Sequence, residues 1–195
     1  MTPTPERIAL ADTPAVPWKN GGGVTRELLA WPGDGDWRVR ISVAEIEADG
    51  PFSSFPGVDR WFAVLAGGGV ALTIAGREQV RRAGDPPLAF SGDAPVGCRL
   101  LQGPSRDLNL MLRGIAGTMR PAVGGEAWTP QARRCGFYAL VAGRCRAGAA
   151  GTELPADTLA WFDPAPASLT FHPDGVDIPP VAGWWLAAGA GELHT

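Results

Sequence analysis

The sequence predicts an all-β protein of antiparallel strands arranged as a doubled sandwich or barrel. Three observations carry this expectation: period-two hydrophobic alternation in several short segments, 27 glycines and 19 prolines scattered through apolar runs, and an internal repeat. Alternation puts successive side chains on opposite faces of a strand, so one face can be buried while the other stays polar. Helical periodicity sustained over a dozen residues is absent.

The elements follow in chain order. In 37–46, Trp37, Val39, Ile41 and Val43 share one face, with Arg38, Arg40 and Ser42 on the other. In 70–75, Val70, Leu72 and Ile74 fall together, and Gly67-Gly68-Gly69 before them reads as a hairpin turn. In 107–113, Leu108, Leu110 and Leu112 stand opposite Asp107, Asn109, Met111 and Arg113. The repeat matches 62–67 with 138–143 and 88–95 with 159–166, in the same order, which predicts two similar units. The first is expected to span residues 1–113 and the second 131–195, joined by a connection over 114–130 that is rich in Gly, Pro, Ala and Glu.

A chain of 195 residues buries enough surface to need no disulfide or metal for stability. Hydrophobic residues at 45% and charged residues at 19% place it among globular proteins. A net charge of −3 without any run of like charges argues against nucleic-acid or anionic-membrane partners. The longest uncharged stretch, Trp61 to Gly76, contains four glycines and is too short to span a bilayer. Met1 is followed by polar residues and prolines instead of a signal-peptide pattern, so a cytoplasmic location is expected. Cys98, Cys135 and Cys145 form no C-x-x-C pair and read as free buried thiols.

The chemistry is bounded by what is scarce. His172 and His194 are the two histidines of the chain, so the first unit offers no imidazole to a metal and no partner to a nucleophilic serine or cysteine. No metal or cofactor is therefore expected. Acid–base work by Glu45, Asp59 or Asp107 stays open, because no carboxylate spacing singles it out. Gly21-Gly22-Gly23 follows Lys19, the one lysine of the chain, and so departs from the phosphate-loop order. It reads either as a connection or as an anion nest of backbone N–H groups. What remains is a set of charged and amide groups, Lys19 and Asn20, Arg26 and Glu27, Arg60 after Asp59, and Asn109 beside Asp107, of which Lys19, Asn20, Arg26, Arg60 and Asn109 are the candidate ligand contacts. Several fixed cations without a metal suit capture of a carboxylate, to which guanidinium bonds in a bidentate manner. The competing reading pairs Arg26 with Glu27 and Asp59 with Arg60 as structural ion pairs.

Four stretches carry a resemblance. They are Pro17-Trp18-Lys19-Asn20-Gly21-Gly22-Gly23-Val24-Thr25-Arg26-Glu27, then Trp37-Arg38 through Gly50-Pro51-Phe52-Ser53-Ser54-Phe55-Pro56-Gly57-Val58-Asp59-Arg60, then Phe90-Ser91-Gly92-Asp93, then Asp107-Leu108-Asn109-Leu110-Met111. With them the chain resembles the HutD/Ves family of bicupin proteins, sharply over the first 113 residues and by length and strand content beyond. The resemblance implies two fused cupin-like (RmlC-type) antiparallel β-barrels, no metal in the usual cupin site, and a link to histidine utilisation. The implied ligands are small acidic metabolites such as N-formylglutamate, N-formiminoglutamate or urocanate. Lys19 and Arg60 are then expected to hold the ligand carboxylate, with Asn20, Arg26 and Asn109 completing the set. The function so read is a sensor or accessory factor, compatible with a homodimer. The rivals are a metal-independent epimerase or isomerase and a stress-induced interaction protein with a vestigial pocket.

Overall fold

The computed structural model describes residues 3–189. Its strands are β1 (Glu6–Ala9), β2 (Ala15–Pro17), β3 (Gly23–Trp31), β4 (Val39–Ile46), β5 (Gly50–Pro51), β6 (Val58–Gly67), β7 (Val70–Ile74), β8 (Arg77–Arg81), β9 (Leu88–Ser91) and β10 (Val96–Leu100). They continue with β11 (Ser105–Arg113), β12 (Gly117–Ala122), β13 (Ala127–Trp128), β14 (Arg134–Ala139), β15 (Gly143–Ala147), β16 (Ala150–Leu154), β17 (Thr158–Phe162), β18 (Leu169–Pro173) and β19 (Gly183–Ala188). One single-turn 3-10 helix, Leu10–Asp12, is the helical element among the described residues.

The chain forms two compact units, Thr13–Gly114 and the pair of segments 1–12 and 115–195. In the first, a six-stranded sheet in the order β2-β3-β4-β11-β6-β9 accompanies a four-stranded one, β5-β10-β7-β8. In the second, the orders are β1-β17-β14-β19-β12 and β13-β18-β15-β16. Advancing each label from β4–β11 by eight reproduces β12–β19 in the same neighbour order, so one eight-strand topology occurs twice. Every ladder is antiparallel. The sheets are open rather than closed barrels.

Three sequence expectations need correction. The first strand, β1, does not belong to the first unit: Glu6–Ala9 pairs with β17 and extends the second unit's larger sheet. The stretch 114–130 is not merely a connection, since it supplies β12 and β13. The expected hairpin at Gly67-Gly68-Gly69 is a corner between sheets, because β6 pairs with β9 and β11 while β7 pairs with β8 and β10. Gly67 has φ of +93° there, and a Cβ on it would lie 2.3 Å from the Pro104 carbonyl oxygen. Glycine is the residue that tolerates both conditions.

The repeated segments do fall on corresponding strands, with Phe62 opposite Leu88 on β6/β9 and Tyr138 opposite Leu159 on β14/β17. The matching faces nevertheless differ. Phe62 packs in its unit's core, whereas in the second unit Phe137 and Ala139, the neighbours of Tyr138, do so. The sequence match is therefore slipped by one residue relative to the fold, and with a period of two that exchanges the faces.

The first unit's core joins Ile46, Phe62 and Val64 of the larger sheet to Val70, Leu72, Val96 and Cys98 of the smaller. Directly opposed residues on neighbouring strands share a face. Asp107 opposes Val64, and Asn109 opposes Phe62, so these two polar residues point to the same side as the core. The other face of β4 and β11 (Val39, Ile41, Leu108, Leu110 and Leu112) is just as buried.

The start of β3 is set by contact. A Cβ on Gly23 would lie 2.1 Å from the Glu45 carbonyl oxygen, whereas Gly21, at φ +70°, has open space around it. Gly23→Ala must push β3 from β4 and is expected to destabilise by about 1–3 kcal/mol or more, as overpacking does. Gly21→Ala carries only left-handed backbone strain of about 1–2 kcal/mol. Urea denaturation of both variants checks the order, and a smaller loss for Gly23→Ala would contradict it.

Candidate functional site

The inward face of the larger sheet in the first unit is read off row by row. Arg40 on β4, Met111 on β11 and Arg60 on β6 stand opposite one another, with Phe90 on β9 beyond Arg60. The next row holds Glu27, Ser42, Asn109 and Phe62, and the next Thr25, Ala44, Asp107 and Val64. Near the Glu27 row, β3 carries a bulge between Glu27 and Leu29, a device that re-aims side chains beside sites. Polar groups thus occupy the half of the interior that the apolar core leaves free. Around them lies a cavity of about 690 Å³, within the range of small-molecule pockets. Its lining includes Lys19, Asn20, Glu27, Arg40, Arg60, Asp107 and Asn109, with Trp18, Phe52 and Phe55 as aromatic walls.

Arg60 is the centre of the arrangement. Its side chain is 5% exposed, yet it carries a full guanidinium. Nη2 donates to Asn109 Oδ1 at 3.1 Å and Nη1 to the Ser53 carbonyl oxygen at 3.4 Å. The guanidinium carbon lies 5.0 Å from the ring centroid of Phe90, 5.4 Å from that of Phe52 and 5.5 Å from that of Phe55, within cation–π range. Burial lowers its pKa to about 10; nearby Asp107 opposes that shift and Arg40 adds to it. The group therefore stays cationic at neutral pH. Its Nε has no protein hydrogen-bond partner.

The supports of Arg60 come from the strings singled out in the sequence. Phe52 and Phe55 sit in the loop between β5 and β6, which is tied to the turn after β9. Phe55 N–H donates to the Gly92 carbonyl, Gly92 N–H to the Val58 carbonyl, and Ser54 Oγ to the Gly92 carbonyl. Gly92 has no room for a side chain, since a Cβ would lie 2.3 Å from the Phe55 carbonyl oxygen. On β11, Asn109 Nδ2 donates to Asp107 Oδ1 at 2.5 Å. Asp107 is 1% exposed, and its Oδ2 has no protein partner. Burial pushes its pKa up to about 7, against the opposing effects of the Asn109 hydrogen bond and the Arg60 charge.

Of the residues expected from sequence, Lys19, Asn20, Arg60 and Asn109 line one cavity, and Arg26 does not. Arg26 follows Thr25 on β3 and faces the opposite side, where Nη1 donates to the Thr13 carbonyl at 2.6 Å and Nε lies 3.7 Å from Glu45. The expected Arg26–Glu27 pair is accordingly not formed; Glu27 pairs across strands with Arg40. Lys19 and Asn20 are exposed at the rim. The glycine run is a connection rather than an anion nest, because Gly22 N–H donates to Asn20 Oδ1 and Gly21 N–H to the Trp18 carbonyl. Arg40, Ser42 and Met111 also line this cavity and are not among the sequence candidates, although all three lie on the polar faces of the alternating segments; Glu27, expected only as the ion-pair partner of Arg26, lines it too.

The remaining functional groups narrow the chemistry. Burial pushes the Cys98 thiol up to about 12, so it is no nucleophile at neutral pH. No group of three or more metal-ligating side chains stands together among the described residues. No helix among the described residues is long and apolar enough to cross a membrane.

The Asp107 carboxyl has a testable signature. Its folded pKa of about 7 lies above the ordinary 3.8, so between those values the folded state holds more protons than the unfolded. Stability from this group is full below 3.8 and is lost as pH rises through about 7. Asp107→Asn is expected to raise the melting temperature relative to the parent more at pH 8 than at pH 4.5. An equal difference at both pH values would contradict the burial effect.

The chain is similar to several known proteins. The HutD family profile matches residues 10–175. An uncharacterised 21.2 kDa protein from the region 3′ of hutC in Pseudomonas putida is 42% identical over 102 residues, covering 51% of this chain and 54% of that protein. Protein Ves of Citrobacter koseri is 33% identical over 161 residues, covering 81% of this chain and 83% of that protein. The structure of HutD from Pseudomonas fluorescens SBW25 superposes with a TM-score of 0.81 at 26% identity, covering 96% of this chain and 99% of that one. At 10% identity, oxalate decarboxylase of Bacillus subtilis shares the fold alone, with a TM-score of 0.66. With its profile match and its Ves relative covering most of the chain, this protein belongs to the HutD family.

Proposed function

We propose that the chain binds a small carboxylate-bearing metabolite in the cavity of its first unit, without a metal, as a sensor or accessory factor in histidine utilisation. The observation that carries this reading is Arg60: a guanidinium fixed by Asn109 and Ser53 at the cavity wall, with Nε free of any protein partner. Arg40 stands two strands away on the same row, and Lys19 sits at the rim, so an entering anion meets cations at both depths. Arg40 is paired with Glu27, which leaves Arg60 and Lys19 as the charges a ligand carboxylate engages first. The occurrence of a relative beside hutC, and the HutD name of a structural neighbour, support the metabolic setting. The twice-occurring topology supports the finer reading of a duplicated cupin.

Thermal shift and titration calorimetry with N-formylglutamate, N-formiminoglutamate and urocanate test the proposal, because a ligand selective for the native state stabilises it by RT ln(1+[L]/Kd). Arg60→Ala is expected to lose about 2–5 kcal/mol of binding free energy, the penalty for truncating a buried charge contact. That corresponds to roughly a 30- to several-thousand-fold weaker Kd. Lys19→Ala, at the exposed rim, is expected to lose about 0.2–1 kcal/mol. Unchanged affinity in Arg60→Ala would overturn the site. A chelator is expected to leave both the melting temperature and Kd unchanged, and loss of binding on chelation would overturn the metal-free reading.

A further inference from the structure

Asp107 is a buried carboxyl in the cavity wall that the carboxylate-capture reading does not use. Its two oxygens are unequal. Oδ1 accepts from Asn109 Nδ2 at 2.5 Å, while Oδ2 has no protein partner. The orientation of the Asn109 amide is settled by its two neighbours: its oxygen accepts from Arg60, so its nitrogen must face Asp107. Oδ2, buried and without a protein partner, is therefore the position of this chain of hydrogen bonds where a proton can sit. An anion drawn to Arg60 adds a negative charge close to Asp107, and two adjacent carboxylates are stable when they share a proton.

We propose that Asp107 is a ligand contact in its carboxylic-acid form, donating the Oδ2 proton to an oxygen of the bound carboxylate, so that binding takes up one proton from solution. This rests on the reading of the cavity as an anion site and specifies which protonation state of the site receives the anion. The proton balance is simple: free Asp107 carboxylate, one solvent proton and the ligand anion give a complex one charge less negative than the free protein and ligand anion taken together, the difference being the proton taken up. The Arg60 cation from β6 and the Cys98 thiol from the smaller sheet interact with Asp107, and the Arg40 cation from β4, the Arg40-paired Glu27 from β3 and Lys19 from the rim line the same cavity. Burial keeps the Cys98 thiol protonated, and Arg60 stays cationic below its pKa of about 10. The free-state pKa of about 7 puts the transition in an accessible range.

The probe is N-formylglutamate, whose own carboxyls ionise well below the pH range used. With the full-length protein, Kd is expected to be flat below about pH 6 and to weaken by about tenfold per pH unit above the Asp107 transition, as one-proton linkage requires. Calorimetry at pH 8 in phosphate and in Tris is expected to report uptake approaching one proton per ligand. Asp107→Asn keeps the shape, donates from Nδ2 and cannot titrate. It is expected to lose the pH dependence and the proton uptake of binding, whatever its Kd at pH 6. Binding by the parent with a pH-independent Kd and no proton uptake overturns the proposal while leaving the anion site standing. A folded Asp107→Asn that binds with the parent's pH dependence also overturns it. No binding by the parent at any pH between 5.5 and 8.5 overturns the anion site for this probe, and the proposal with it. If Asp107→Asn fails to fold, the two-buffer measurement on the parent decides alone.

Discussion

A cation held inside a β-sandwich is expensive unless each of its surroundings compensates, and the guanidinium of Arg60 organises the first unit on that account. Its supports come from three separate elements. Asn109 rises from β11, the Ser53 carbonyl comes from the loop before β6, and the Phe90 ring comes from β9. None of these can shift without changing the solvation of the charge. The loop is tied to the Gly92 turn through three hydrogen bonds, and Gly92 is pressed against the loop so closely that no side chain fits. Asn109 is oriented in turn by Asp107, so a carboxyl that would otherwise be badly placed becomes part of the frame that aims the arginine.

The second unit shows what the same topology becomes without that charge. Its interior is filled by rings: Trp128 and Trp185 stack at 5.0 Å, and Phe137 lies 4.4 Å from both Phe171 and Trp185. In the first unit the equivalent large sheet turns Glu27, Arg40, Ser42, Arg60, Asp107 and Asn109 to its inner side. The two units therefore share strand order and differ in what their inner faces carry. That difference sets which chemistry each unit can offer, because a fold supplies a frame and the side chains it presents supply the chemistry.

Ion pairing within the first unit follows strand geometry rather than sequence proximity. Glu27 reaches Arg40 on the facing strand, and Arg26, one residue earlier, reaches Glu45 on the opposite face. Asp59 is exposed while Arg60 is buried. Adjacent residues on a strand cannot meet, whereas residues across a ladder can. The result separates charges inside the cavity from charges that tie strands together outside it.

The alternating segments and the punctuation by glycine and proline predicted an all-β antiparallel chain, because a two-residue period is a local property of the backbone, and the two ordered string matches predicted the doubling. The long strings around Trp18, Phe52 and Phe90 marked the neighbourhood of the cavity, and Lys19, Asn20, Arg60 and Asn109, which line it, were legible as cations and amides. Which of them meet was not legible. Arg26 left the site, and Arg40 and Glu27 entered it, because a strand's inner face is chosen by the partner sheet and a bulge re-aims it. Both faces of β4 and β11 are buried, so apolar alternation alone could not identify the inward side. The expected hairpin at Gly67 became a corner and β1 joined the second unit for a related reason: strand pairing is settled by long-range hydrogen bonds. The state of Asp107 belongs to tertiary structure entirely, since its pKa is raised by burial that no neighbour in sequence supplies.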